Sequence, residues 1–297
     1  MKKLFAMLLA ASMMMSLAAC GSKTEEPAPA PAPEAPSTSE PAAPEAPAEP
    51  ALETVTEGKL TVATSPDFAP YEFYAIAEDG TPTLAGFDVA LAHYIADHMG
   101  LELEIIPMDF DGVLMEVATG KVDLGMAGLS PDPARMDAMD FSDIYYEGGQ
   151  SFVTVTANKD MFKTLEDANQ AGISVGAQTA SIQMDLANEY SANADIVALV
   201  KVTDIIAELL TGKLDGAYIE TAVAESYKTN YPELEIVLEV PYEAEGSAIG
   251  VVKGNEALLN AVNEAVAAAL ADGSMDNFVA EAGEQASGNI YEGLLDG

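Results

Sequence analysis

Arg135 is the only arginine among 12 basic and 49 acidic residues in a chain of 297. A guanidinium is the group best shaped to hold a carboxylate through two parallel hydrogen bonds. Arg135 falls in a turn-rich segment, Thr119 to Tyr146, just past an apolar strand pattern. That placement fits a ligand contact, and it also fits a surface ion pair, which would contribute little. Four aspartates flank Arg135 in the segment: Asp132, Asp137, Asp140 and Asp143. Their spacing matches no calcium-binding loop, so they are expected to cap short helices. His93 and His98 lie five apart on one helical pattern, which does not bring both to one metal-facing side, and they read as structural. No metal and no cofactor is expected.

Two other places carry residue types suited to a ligand. A strand pattern at Ile173 to Ala177 runs into Gln178-Thr179-Ala180-Ser181 and then into a helical pattern from Ile182. A strand feeding a helix through small polar residues leaves N–H groups free for an anion; an ordinary cap by Ser181 accounts for the same residues. Glu220 ends a second strand pattern, Leu214 to Ile219.

Helices and strands must position these residues. Lys59 to Thr64 alternates as a strand. Phe87 to Met99 has apolar residues at helical spacing and stops at Gly100. Asp111 is the expected cap of a helix closed by Gly120. Thr164, Thr203 and Ser274 are expected caps further on, with a long helix from Glu256 to Ala271. Two segments echo one another: Ala118-Thr119-Gly120-Lys121-Val122-Asp123 and Leu210-Thr211-Gly212-Lys213-Leu214-Asp215. Each stops a helix at glycine and starts a strand. Strands alternating with helices argue for parallel α/β sheets, which place ligands beyond the carboxyl ends of their strands. Two such units suggest two lobes sharing a cleft. One would deliver the cation Arg135, the other the anion Glu220. A free amino acid carries the complementary pair.

The formal net charge is −37 and the pI about 4.1. Nucleic acid is excluded as a partner, because phosphate recognition needs clustered Lys and Arg. An anionic membrane surface is disfavoured for the same reason. A single cysteine rules out an intrachain disulfide. Residues 1–19 read as an export signal, with Lys2 and Lys3 ahead of a short apolar run. Leu17-Ala18-Ala19-Cys20 resembles the lipobox of bacterial lipoproteins, which implies cleavage before Cys20 and a lipid on its sulfur. That lipid would hold the protein on the extracytoplasmic face of the cell membrane. Residues 20–57, rich in Pro, Ala and Glu, read as a disordered tether.

The globular part resembles the polar amino-acid-binding proteins (solute-binding proteins, family 3) of ABC importers. The marks are TVATSPDFAPYEF (61–73), GFDVALA (86–92), TGKVDLGMAGLS (119–130), Arg135, MDFSDIYY (139–146) and VGAQTASIQ (175–183). The resemblance implies an α/β, two-lobed, periplasmic-binding-protein-like type II fold with a hinge and an interlobe cleft. Lobe 1 would comprise 58–151 and 243–297, lobe 2 would comprise 152–242, and the hinge would lie near 149–151 and 241–245. It implies that Arg135 grips the ligand carboxylate, with backbone N–H groups of Ser130, Ser181 and Ile182. Glu220, the Gly128 carbonyl and the Ser130 hydroxyl would take the ammonium. Phe68 and Phe110 would wall the side-chain pocket, with Ser65 at its polar end.

Three departures stand out. Glu220 replaces a frequent Asp, Ala180 replaces a usual glycine, and the last helix lacks an aromatic-rich ending. Basic-ligand binders often carry a carboxylate near Ser65; its absence from that position argues against lysine or arginine, and the acidic surface argues for them. The expected partners are a free amino acid and an ABC permease, and the expected state is a monomer. An enzyme on the same scaffold, such as a cyclohexadienyl dehydratase or a lytic transglycosylase, and a sensor docking on a signalling receptor are the alternatives.

Overall fold

A computed structural model describes residues 52–77, 79–243, 246–288 and 290. The export signal, Cys20, most of the tether and part of the 241–245 segment lie outside the described residues. In chain order the strands are β1 (Lys59–Thr64), β2 (Asp67–Phe68), β3 (Glu72–Ile76), β4 (Pro82–Ala85), β5 (Glu102–Pro107), β6 (Leu124–Gly125) and β7 (Met139–Phe141). They continue as β8 (Gln150–Val155), β9 (Ser174–Gln178), β10 (Asp195–Leu199), β11 (Gly216–Glu220), β12 (Leu234–Glu239) and β13 (Gly250–Val252). The helices are α1 (Phe87–Met99), α2 (Phe110–Ala118), α3 (Pro133–Met136), α4 (Ile182–Tyr190), α5 (Val202–Leu210), α6 (Thr221–Asn230), α7 (Glu256–Ala271) and α8 (Ser274–Ala286).

Two five-stranded sheets share one plan. The first has the order β5-β1-β6-β13-β7, the second β10-β9-β11-β8-β12. In each, the first three strands of that order are parallel, the fourth runs antiparallel to both its neighbours, and the fifth again shares the direction of the first three. A small sheet, β2-β3-β4, accompanies the first. β1 is buried along all but its first residue, as a central strand covered on both faces must be. The fourth strand of each sheet is the first to form after the chain crosses over, β8 on the way out and β13 on the way back. We refer to the part built on each sheet as a lobe. The two crossing segments pair at Tyr146 and Ser247: Ser247 N donates to Tyr146 O (2.8 Å) and Tyr145 N to Ser247 O (3.0 Å).

The repeat read in the sequence recurs at atomic detail. Thr119 and Thr211 each return their hydroxyl to the carbonyl four residues back, at 2.7 and 2.8 Å. Gly120 and Gly212 follow in the left-handed region, φ 66° and 72°. Asp123 then accepts Thr61 N of β1 (2.8 Å), and Asp215 accepts Ser174 N of β9 (2.9 Å). Each aspartate thereby fixes its strand against the parallel neighbour.

Several expected caps differ. Asp109 rather than Asp111 takes the N-cap position of α2, and Asp111 sits in the first turn, where a negative charge favours the helix dipole. α5 starts at Lys201 as N-cap, so Thr203 lies inside it with a buried Oγ1 lacking a partner. Gly273 precedes α8, which runs 13 residues rather than a short turn. Of the four aspartates near Arg135, Asp132 takes the N-cap of α3, accepting Ala134 N at 2.7 Å, and Asp137 its C-cap position. Asp140 instead pairs with Lys253. His98 stacks on Tyr94, and among the described residues no cluster of metal-ligating side chains exists.

Candidate functional site

The first lobe presents Arg135 through a short rigid turn. Asp132 caps α3, Pro133 presets its first residue, and Arg135 follows within the same turn. Its Nη1 donates to Ser130 O (3.2 Å), and its Nη2 reaches the other lobe at Ala180 O (3.1 Å). Its Cζ lies 5.6 Å from the centre of the Phe110 ring, within cation–π range. Burial pulls the guanidinium pKa down, and the charges of Asp132 and Asp185 oppose that. Among the described residues, two of its five donors have partners.

Behind Arg135 the chain turns sharply at Gly128, φ 55°. A Cβ there would lie 2.7 Å from the Phe68 ring and 3.3 Å from Tyr71, so glycine is required for the close approach. Gly128 N donates to the buried Asp88 carboxylate (3.1 Å), which fixes the orientation of this turn. Ser130 is buried just beyond it.

The second lobe presents the end of β9 and the end of β11. Ser181 caps α4: its hydroxyl accepts Met184 N (3.2 Å) and donates to Gln178 O (2.7 Å). Ser181 N itself reaches Gln178 O at 3.3 Å. Ala180 holds φ 62°, the left-handed conformation that glycine adopts freely. Glu220 is 4% exposed and caps α6 through Val223 N (2.9 Å), while Gly149 N approaches its Oε1 at 3.4 Å. Burial lifts its carboxyl pKa to about 7; the bonds from Val223 and Gly149, and one from the Tyr71 hydroxyl, oppose the rise. Tyr71 also packs on Phe68 and Phe87. It therefore links Glu220 to the Gly128 turn of the other lobe.

Of the residues expected at the site, Ser65 follows β1, Phe68 ends β2, Phe110 starts α2, Gly128 and Ser130 lie in the loop after β6, Arg135 lies in α3, Ser181 caps α4, Ile182 starts it and Glu220 ends β11. The bond from Arg135 Nη2 to Ala180 O brings the Arg135 turn against the turn that carries Ser181. Neither Arg135 nor Glu220 belongs to any described ion pair; those all use surface lysines. Three participants escaped the sequence. Tyr71 orients Glu220. Gly148 leaves room for it, since a Cβ there would come within 2.7 Å of Oε1. Asp67 corrects the expectation that no carboxylate stands near Ser65: Ser65 Oγ donates to Asp67 Oδ1 at 2.9 Å.

The model of the bacterial extracellular solute-binding proteins, family 3, matches residues 60–283. The chain belongs to that family. Its two mixed sheets are the type II periplasmic-binding-protein fold. This family 3 protein is 32% identical over 203 residues to the arginine-binding extracellular protein ArtP of Bacillus subtilis, covering 67% of its own chain and 76% of that protein. It resembles the crystal structure of the amino acid ABC transporter substrate-binding protein AbpA from Streptococcus pneumoniae bound to L-arginine. There the TM-score is 0.74 at 32% identity, over 77% of this chain and 96% of that one. It is also 27% identical over 177 residues to the cyclohexadienyl dehydratase of Pseudomonas aeruginosa, covering 60% of this chain and 65% of the enzyme.

Proposed function

We propose that this family 3 protein is an extracytoplasmic receptor that captures a free amino acid between its lobes and delivers it to an ABC permease. The observation that carries this is that Arg135 and Glu220, a cation and an anion that belong to no ion pair among the described residues, stand on opposite lobes. Arg135 takes the ligand carboxylate, with N–H groups at Ser130, Ser181 and Ile182. Glu220 takes the ammonium, with the Gly128 carbonyl and Ser130 hydroxyl. Phe68 and Phe110 hold the side chain. Charge-assisted hydrogen bonds of ~1.5–3 kcal/mol each are enough for micromolar affinity, about 8 kcal/mol, after ordering costs.

Only the closed arrangement makes both sets of contacts, so the ligand stabilises closure. The hinge is the pair of crossing segments joined at Tyr146 and Ser247. The permease then reads the closed form of a monomer. A lipid on Cys20 anchors the chain, and the tether lets the receptor reach the permease. The relatives named above are binding proteins in two cases of three, and the dehydratase is the more distant of them by identity.

Calorimetric titration with a panel of free amino acids tests this. Saturable binding of at least one supports it; failure of every one on a folded chain ends it. The dehydratase relative favours one second reading, an enzyme on the same scaffold, which turnover of a cyclohexadienyl substrate would establish.

A further inference from the structure

We propose that Glu72 and Asp88 share one proton, and that the hydroxyl this gives Glu72 holds Asp88 in place to position the Gly128 turn of the ligand site. The positioning role rests on the reading of the cleft as an amino-acid site; the shared proton does not.

The start of α1 assembles the pair. Asp88 N donates to Tyr71 O at 2.9 Å, which lays the first turn of α1 beside the start of β3 and brings Asp88 against Glu72. Glu72 is fully buried, and Asp88 and Tyr145 are nearly so. Asp88 Oδ2 accepts Gly128 N at 3.1 Å. The other oxygens of the cluster, both of Glu72, Oδ1 of Asp88 and the Tyr145 hydroxyl, are buried without a partner among the described residues. Asp88 faces the Glu72 carboxyl on one side and the Tyr145 hydroxyl on the other.

Two buried carboxylates side by side repel, and a buried charge without a donor is costly. The groups facing the pair supply no cation: they are Asp67, Tyr71 and Tyr145. One proton removes the conflict, because a Glu72 hydroxyl can donate to Asp88 Oδ1. That proton belongs on Glu72. Asp88 already has Gly128 N as a donor and stands in the first turn of α1, where the helix dipole favours a negative charge. Glu72 has neither. Burial and the neighbouring Asp88 charge hold Glu72 well above the ordinary carboxyl range, and burial lifts Asp88 only to about 6. The Asp88 carboxylate then gathers three donors: the Glu72 hydroxyl, the Tyr145 hydroxyl and Gly128 N. They come from β3, from the crossing segment beside Tyr146 and from the turn behind Arg135. Gly128, held at φ 55°, carries the carbonyl that would take the ligand ammonium. Glu72 is therefore a positioning residue that acts on the ligand through Asp88.

Infrared spectroscopy and calorimetry on the mature chain test the proposal. At about pH 8 ordinary carboxyls are ionised, so the carbonyl stretch of an un-ionised carboxylic acid should persist from Glu72. Glu72→Gln should remove that band, and Glu220→Gln should leave it. Glu72→Gln offers an amide N–H in place of the hydroxyl, so it should bind the tightest amino acid of the panel within about threefold of the wild type. Glu72→Met, similar in size but without a donor, should bind it about tenfold more weakly. A wild type without the band overturns the proposal, whether or not either variant folds. So does a band that survives Glu72→Gln, or a Glu72→Met chain that binds as tightly as Glu72→Gln. If no amino acid binds the wild type, the receptor reading falls and the positioning role with it, while the band still decides the shared proton.

Discussion

Gly148 and Glu220 are fitted to each other across the crossing between the lobes: a Cβ on Gly148 would lie 2.7 Å from Glu220 Oε1 and 3.1 Å from the Tyr71 hydroxyl. The missing side chain makes room for a carboxylate one methylene longer than aspartate. Gly148→Ala should displace Glu220 and weaken amino-acid binding about tenfold. Glu220→Asp should weaken it comparably by withdrawing the charge. The double variant should recover part of the loss, because the shorter acid clears the new methyl. A double-mutant cycle by calorimetry measures that coupling; strict additivity would refute it.

Arg135 contributes a fork that lysine cannot copy. Arg135→Ala removes two charge-assisted bonds to the ligand, each ~1.5–3 kcal/mol, and should cost a hundredfold or more in affinity. Arg135→Lys should fall between. Ligand-free melting should move little in either, because Arg135 is partly exposed and water can replace its bonds to the Ser130 and Ala180 carbonyls. A large loss of ligand-free stability would make Arg135 a structural residue.

Acidity should act on stability and on binding in opposite directions. Burial raises Glu220 to about 7, Asp67 and Asp88 to about 6, and Glu72 well above the ordinary carboxyl range. In the unfolded chain such groups titrate near ~4–4.5. Above that pH the native chain retains protons that the unfolded chain has released. The stability they add is therefore fully present below about pH 4, and it is lost as pH rises through about 7. The ligand ammonium favours ionised Glu220, so affinity should rise from about pH 5 to 7.5, with a proton expelled on binding near pH 6. Calorimetry in buffers of different ionisation heat reads that proton directly. Glu220→Gln should abolish most of it.

Ala180 holds a conformation that costs a non-glycine residue ~1–2 kcal/mol, against ~0.5–1 kcal/mol of extra backbone entropy for glycine. Ala180→Gly should therefore raise stability by about 0.5–1 kcal/mol in denaturant titration. Its carbonyl, which accepts Arg135 Nη2, stays in place, so affinity should change less than about threefold.

The sequence made legible what depends on neighbours in the chain. α1 ends where Gly100 adopts φ 67°, α7 spans the expected residues, and Ser181 caps α4 as its position required. The repeat around Gly120 and Gly212 announced two similar lobes because its bonds are local or reach one adjacent strand. Asp67 was obscured because Ser65-Pro66-Asp67 has the composition of a turn. Its partner Gln178 lies 111 positions away, and only the closed fold brings them together. α6 was missed because its sequence, TAVAESYKTN, has little apolar periodicity; its start is set by Glu220, a residue with a second task. β10 reads weakly because it is an edge strand only partly covered.

The late return of β13 to the first sheet has a consequence for biogenesis. The second sheet is a contiguous stretch from β8 to β12, and all of its pairings exist once Glu239 has been synthesised. The first sheet stays open between β6 and β7 until β13 inserts, eleven residues after β12 ends. A chain threaded outward from its amino end therefore completes its later half before its earlier one. No single cut divides it into two fragments that each fold alone.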